Sequence, residues 1–208
     1  MKFILIQQAP PEKPGRGRCD SAGFEKLEAA ERLGGAAPFE ARRGDASRWR
    51  VVTGAGRRGR ETAEGLFTLS EPPEETELLA DAPLRPFRET KRRLPLWLWR
   101  WMAVLLWFFG EGRNEALNRA GRLLDSLEAE GRDCVIIAGG LTLAALKTAL
   151  RRRGYELEGG GLLPRPLDRV RAAKNVPRCG GCKHNCRLTE PKCHVGRSKA
   201  AERGIPIQ

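Results

Sequence analysis

Four thiols fall within fifteen residues, in Cys179-Gly-Gly-Cys182-Lys-His-Asn-Cys186-Arg-Leu-Thr-Glu-Pro-Lys-Cys193-His194. Thiolates gathered on one short stretch are the usual protein means of holding zinc or an iron-sulfur cluster. The spacing C-x2-C-x3-C-x6-C supplies a full set of four sulfurs for zinc or a 4Fe-4S cluster, with zinc slightly favoured on ligand chemistry. Gly180 and Gly181 allow the tight knuckle that Cys179 and Cys182 would need to grip one centre. His184 and His194 are the chain's two histidines and either could replace a thiol, but the four sulfurs are preferred. A disulfide framework and a ligand-free loop are the remaining readings. The first belongs mainly to small secreted domains that cannot build a core.

The elements that precede these cysteines read as alternating strands and helices. Residues 3 to 6 are a short apolar run, followed by a proline-rich loop, and Asp20-Ser21 can cap a helix carrying Phe24, Leu27, Ala30 and Leu33. A strand at 49 to 53 passes through Gly54-Ala-Gly56 into a helix ending near Leu66. Residues 77 to 80 are a weaker strand. A tryptophan-rich helix lies between Leu94 and Gly110, a second helix runs from about 115 to 130, and a strand at 133 to 138 leads through Gly139-Gly140 into a helix over 141 to 153. Such alternation predicts a three-layer α/β/α domain with a mostly parallel sheet over residues 1–164, and a small basic cysteine-rich module over 165–208. Ligands bind at the carboxyl ends of strands in sheets of this kind. The loops expected to converge there are Gln7-Gln8-Ala9, Gly54-Ala-Gly56-Arg57-Arg58 and Gly139-Gly140.

Over roughly residues 1 to 155 the chain resembles the histidine phosphatase, or phosphoglycerate mutase-like, superfamily. Lys2-Phe-Ile-Leu-Ile-Gln7-Gln8-Ala9-Pro10 sits where that family has a strand ending in Arg-His-Gly. Thr53-Gly-Ala-Gly-Arg57-Arg58-Gly-Arg-Glu-Thr62-Ala63-Glu64 is similar to its Ser-Pro-x-x-Arg-Ala-x-x-Thr-Ala-Glu segment. Phe87-Arg88-Glu89 before the tryptophan-rich helix resembles a bacterial branch, and Val135-Ile-Ile-Ala-Gly139-Gly140 stands where the family has Val-x-Ser-His-Gly. The resemblance implies a phosphoryl-accepting histidine at position 8, an arginine at 7, a second histidine at 139, Arg58, and an acid at Glu89. Here those positions read Gln7, Gln8, Arg58, Glu89 and Gly139, so only Arg58 and Glu89 keep the family's type. The glutamine amide nitrogen is delocalised into its carbonyl and cannot form a phosphoenzyme. The expected domain is therefore catalytically degenerate, with no catalytic residues.

Two readings of this vestigial pocket remain open. Arg58 with the helix-start amides around Gly139 and Gly140 could bind a phosphorylated or carboxylate small molecule without turning it over; alternatively, Arg58 simply pairs with Glu89. An active phosphatase using another nucleophile or direct water attack is the competing functional class.

The formal net charge is +12, and from Arg165 onward eleven Lys/Arg face three Asp/Glu. That basicity admits nucleic acid as a partner of the tail, although a four-thiolate zinc site would itself be anionic and account for some of it. The apolar stretch from Leu94 to Gly110 is interrupted by Arg100 and is too short to span a bilayer. A helix packed in the core or under a lid is expected, with Trp97 and Trp101 on its buried stripe; contact with a membrane interface is the alternative. Met1 to Ile6 lacks the long apolar segment and cleavage site of a secretory signal, so a cytoplasmic setting is expected. Cys134 reads as a buried strand residue.

Overall fold

The structure is a computed structural model and describes residues 1–41, 43–159, 161, 165–174, 179, 188, 191 and 193–202. In chain order these form β1 (Lys2–Gln7), β2 (Arg18–Cys19), α1 (Ser21–Leu33), β3 (Gly44–Asp45), β4 (Arg50–Gly54), α2 (Arg57–Leu66), β5 (Phe67–Thr68) and β6 (Glu74–Thr76). A 3-10 turn (Glu77–Leu79), β7 (Leu94–Pro95), α3 (Leu96–Phe109), α4 (Glu111–Glu130), β8 (Cys134–Ala138), α5 (Gly140–Arg152), β9 (Tyr155–Glu158), β10 (Arg169–Lys174) and α6 (His194–Glu202) follow.

The central sheet has six strands in the order β6-β4-β8-β1-β10-β9. β6, β4, β8 and β1 pair in parallel, and β10 returns antiparallel to β1. Side-chain alternation builds the three layers. Phe3, Leu5, Cys134 and Ile136 face the cluster that contains Leu124 and Leu127 of α4 and Leu146 and Leu150 of α5. The intervening Ile6, Val135 and Ile137 face Ala63 and Leu66 of α2. The expected α/β/α architecture with a mostly parallel sheet is what the chain adopts.

Two expectations are corrected, one at residues 77–80 and one along α3. The strand expected at residues 77–80 is instead β6 at Glu74–Thr76 followed by the 3-10 turn. The chain divides into compact units Met1–Ala173 and Lys174–Gln208, because β10 joins the sheet; a break at 164/165 would fall before this strand. Helix α3 has the opposite phase to the one expected. Trp97 and Trp101 are 69% and 60% exposed, whereas Leu96, Trp99, Ala103 and Trp107 are buried. Trp99 stacks on Phe24 of α1 with ring centroids 5.5 Å apart, and its indole N–H donates to the Cys19 carbonyl at 3.0 Å. The cap of α1 is as expected, with the Asp20 carboxylate accepting from the Gly23 amide at 2.8 Å.

Candidate functional site

The parallel strands end at one level, since Gln7 pairs with Ala138 and Thr53 with Ile137. The three expected loops therefore meet at one rim, and β6 adds a fourth. Its partner Gly54 lies opposite Thr76, and the chain then turns through Leu79 and Ala80 to Asp81. The Ala80 carbonyl accepts from Arg119 of α4 at 3.3 Å and from the Thr142 hydroxyl of α5 at 3.2 Å. Gly54 is required at this crossing, because a Cβ there would lie 2.8 Å from the Leu79 carbonyl oxygen.

Asp81 is the centre of the rim. Arg58 Nη2 donates to its Oδ2 at 2.7 Å, and the Gln8 amide nitrogen lies 2.9 and 2.8 Å from its two oxygens. Gln8 is almost fully buried and is fixed by its own backbone, which donates to the Ala138 carbonyl at 3.1 Å. Ala9 follows, its amide donating to Thr62 Oγ1 at 3.0 Å. A Cβ on Gly139 would lie 2.1 Å from Asp81 Oδ1 and 3.2 Å from the Gln8 amide nitrogen. The carboxylate thus fills the space that any side chain at position 139 would enter. A Cβ at Gly140 would meet the Gln7 amide at 3.4 to 3.6 Å. Among the described residues, Gln7 Oε1 and Arg58 Nε are buried without a hydrogen-bond partner.

Arg58, Gly139 and Gly140 do come together, lining a cleft of about 410 Å³ with Asp81, Leu141 and Thr142. Its remaining charges are Glu25, Glu28, Glu31, Arg32 and Arg85, so four carboxylates face three guanidiniums. A second cleft of about 330 Å³ contains Gln8, Arg32, Arg58 and Asp81. This balance offers a polyanion little net attraction. Glu89 is exposed and lines neither cleft, and the partner of Arg58 is Asp81 rather than the Glu89 of the alternative reading. Sequence reasoning missed Asp81. Its signal is positional: it follows the carboxyl end of a strand neighbouring β4, but that strand reads Glu-Glu-Thr and carries no apolar pattern.

In the second unit, Cys179 is buried with Leu188 and Ala200, and Lys199 donates to its carbonyl at 2.9 Å. Cys193 is exposed and immediately precedes α6. Cys182, Cys186 and His184 lie outside the described residues. Among the described residues no three His, Cys, Asp or Glu side chains form a group able to hold a metal ion. The donor set of four closely spaced sulfurs fits zinc or a 4Fe-4S cluster by its chemistry.

No protein-family model and no curated protein matches the sequence. Among solved structures, the chain is similar to a mycobacterial glucosyl-3-phosphoglycerate phosphatase complexed with VO3, at 15% identity and a TM-score of 0.44, covering 83% of this chain and 97% of that one. It is also similar to a phosphoserine phosphatase mutant from Entamoeba histolytica in complex with phosphoserine, at 12% identity and a TM-score of 0.41, covering 73% and 80% of the two chains. Among the described residues no helix is long and apolar enough to cross a membrane.

Proposed function

We propose that the α/β unit is a catalytically degenerate histidine-phosphatase-like domain, and that the C-terminal Cys179, Cys182, Cys186 and Cys193 hold zinc or a 4Fe-4S cluster in a binding or regulatory protein. The observation that carries the first half is the Asp81 carboxylate. It takes the hydrogen bonds of Arg58 and Gln8 and abuts Gly139, so the chain supplies its own anion to the one arginine that the family pattern retains. An incoming phosphate must displace a carboxylate already paired in a partly desolvated site, which costs affinity. With Gln8 at the nucleophile position, no described residue of the rim offers a ring nitrogen to carry a phosphoryl group.

The metal half rests on the donor chemistry. Four thiolates on a zinc ion would cross-link the segment and contribute folding energy, whereas a cluster would add electron transfer.

Full-length protein purified without oxygen, tested for metal and sulfide content and for turnover of phosphate monoesters, tests both halves. The expected result is one zinc, or one iron- and sulfide-containing centre, lost on Cys182→Ser with Cys186→Ser, and no turnover above buffer. Asp81→Ala is expected to gain orthophosphate binding by about tenfold, because Arg58 is then left without its partner. Turnover abolished by Arg58→Ala would overturn the degenerate reading in favour of direct water attack. A metal-free protein would overturn the metal reading.

A further inference from the structure

Helix α3 presents an outer arc with no charge on it. Trp97, Trp101, Leu105, Leu106 and Phe109 are exposed, Phe109 to 84%. A helix that is apolar all round is normally buried, and a contiguous exposed apolar surface marks a place where something else docks. The helix's one charged residue is turned away from this arc. Arg100 pairs with Glu28 at 3.0 Å and with Glu31, both on α1. The inner side is satisfied by α1 through Trp99 and Arg100; among the described residues, the outer side is covered by nothing.

The chain just before the arc is basic. Between the exposed Glu89 and Glu111 there are four basic residues and no acidic one, and Lys91, Arg92 and Arg93 lie exposed directly before β7 and α3. None of these three makes an ion pair among the described residues. Exposed tryptophans on a helix that follows a basic run match the two chemical layers of an anionic membrane surface: indoles favour the headgroup level, and Lys and Arg favour anionic lipid. At fourteen residues α3 is about 21 Å long, against a hydrocarbon core of about 30 Å. It is therefore suited to lie in the interface rather than cross it. A second copy of this chain is a poorer occupant, since two molecules each carrying +12 would be brought together.

We propose that α3 and the Lys91-Arg92-Arg93 run form a docking surface for an anionic lipid bilayer. The protein binds with the outer arc in the interfacial layer and the basic run against acidic headgroups. Each Lys or Arg held at such a leaflet raises partition about fivefold, so the run contributes about a hundredfold beside the apolar insertion. This surface is separate from the rim and stands whether or not the rim binds a ligand.

Co-sedimentation of the full-length protein with vesicles rich in phosphatidylserine, and with vesicles of phosphatidylcholine alone, tests it. The expected result is binding to the acidic vesicles with a blue shift of tryptophan emission, weakened at least about tenfold by Trp97→Ser with Trp101→Ser and by Lys91→Glu with Arg93→Glu. Unchanged circular dichroism and melting confirm that these exposed substitutions leave the fold intact. Binding that survives both double variants would place the lipid contact in the basic tail and overturn the proposal. Equal binding to neutral vesicles would overturn it too. So would an absence of vesicle binding, with or without a concentration-dependent dimer that the tryptophan substitutions dissolve; that dimer would assign the arc to a second copy.

Discussion

At the strand-end rim, Arg58 and Asp81 answer each other; along the outer arc of α3, the tryptophans face no part of the described chain. The two regions lie in the same α/β unit and are served by the same helix α1, whose Glu28 and Glu31 line the rim cleft and also pair with Arg100 of α3. The rim is polar and its arginine is paired to Asp81, although Arg58 Nε and Gln7 Oε1 stay buried without a partner among the described residues. The arc is apolar and unsatisfied. A polar site whose charges are paired within the chain can persist without a ligand, whereas an exposed apolar surface carries a standing penalty that a partner relieves. The difference places the strongest sign of an outside partner in this unit on α3, away from the position where the fold would put chemistry.

The sharpest contrast is within α3 itself. Trp99→Ala removes a fully buried indole, its stack on Phe24 and its bond to the Cys19 carbonyl, and is expected to cost about 3–5 kcal/mol. Trp97→Ser or Trp101→Ser should change stability by less than about 0.5 kcal/mol. Urea unfolding of the three variants checks this. A Trp97 or Trp101 cost comparable to that of Trp99 would show that the arc is packed and would erase the contrast.

The phase of α3 was illegible in the sequence for a physical reason. Thirteen of its fourteen residues are apolar, so periodicity has no polar side from which to take its bearing. Arg100 was the only marker. It is turned toward α1, where it pairs with Glu28 and Glu31 rather than marking the solvent side. By contrast, α4 and β8 were legible, because the leucines of α4 recur at helical spacing and β8 is a continuous apolar run. The three loops at the rim were also legible, since each follows such a strand. Asp81 was hidden behind the edge strand β6, whose exposed Glu-Glu carries no burial signal. Strand β10 was hidden in the basic tail. Its Arg169, Arg171 and Lys174 give it the tail's charge, while Val170 and Ala172 turn inward against β1.

The rim's internal closure has a direct test of intermediate size. Gly139→Ala puts a methyl 2.1 Å from Asp81 Oδ1 and must drive that carboxylate off Arg58 and Gln8. The expected cost is about 2 kcal/mol, the scale of breaking a charged hydrogen-bonded pair that is partly screened by solvent. In the background of Asp81→Ala the same substitution should cost clearly less, and the double-mutant cycle reports the difference as coupling. Additive costs would mean that Asp81 does not fill the space beside Gly139, and the rim would then resemble an open site.

The smallest effect concerns the charges shared between the two regions. Burial pushes the Glu28 carboxyl above its ordinary value, against the opposing pull of the Arg100 guanidinium. A carboxyl with a raised folded-state pKa binds its proton more readily folded than unfolded. Between the unfolded value near 4.5 and the higher folded one, this group therefore makes stability fall as pH rises. Glu28→Gln removes the titration, so unfolding free energies measured across that window should lose this descending contribution relative to the wild type. The opposite change, a slope that becomes more negative on substitution, would mean that Arg100 dominates over burial. Glu28 would then belong energetically with the paired charges of the rim, such as Arg58 and Asp81.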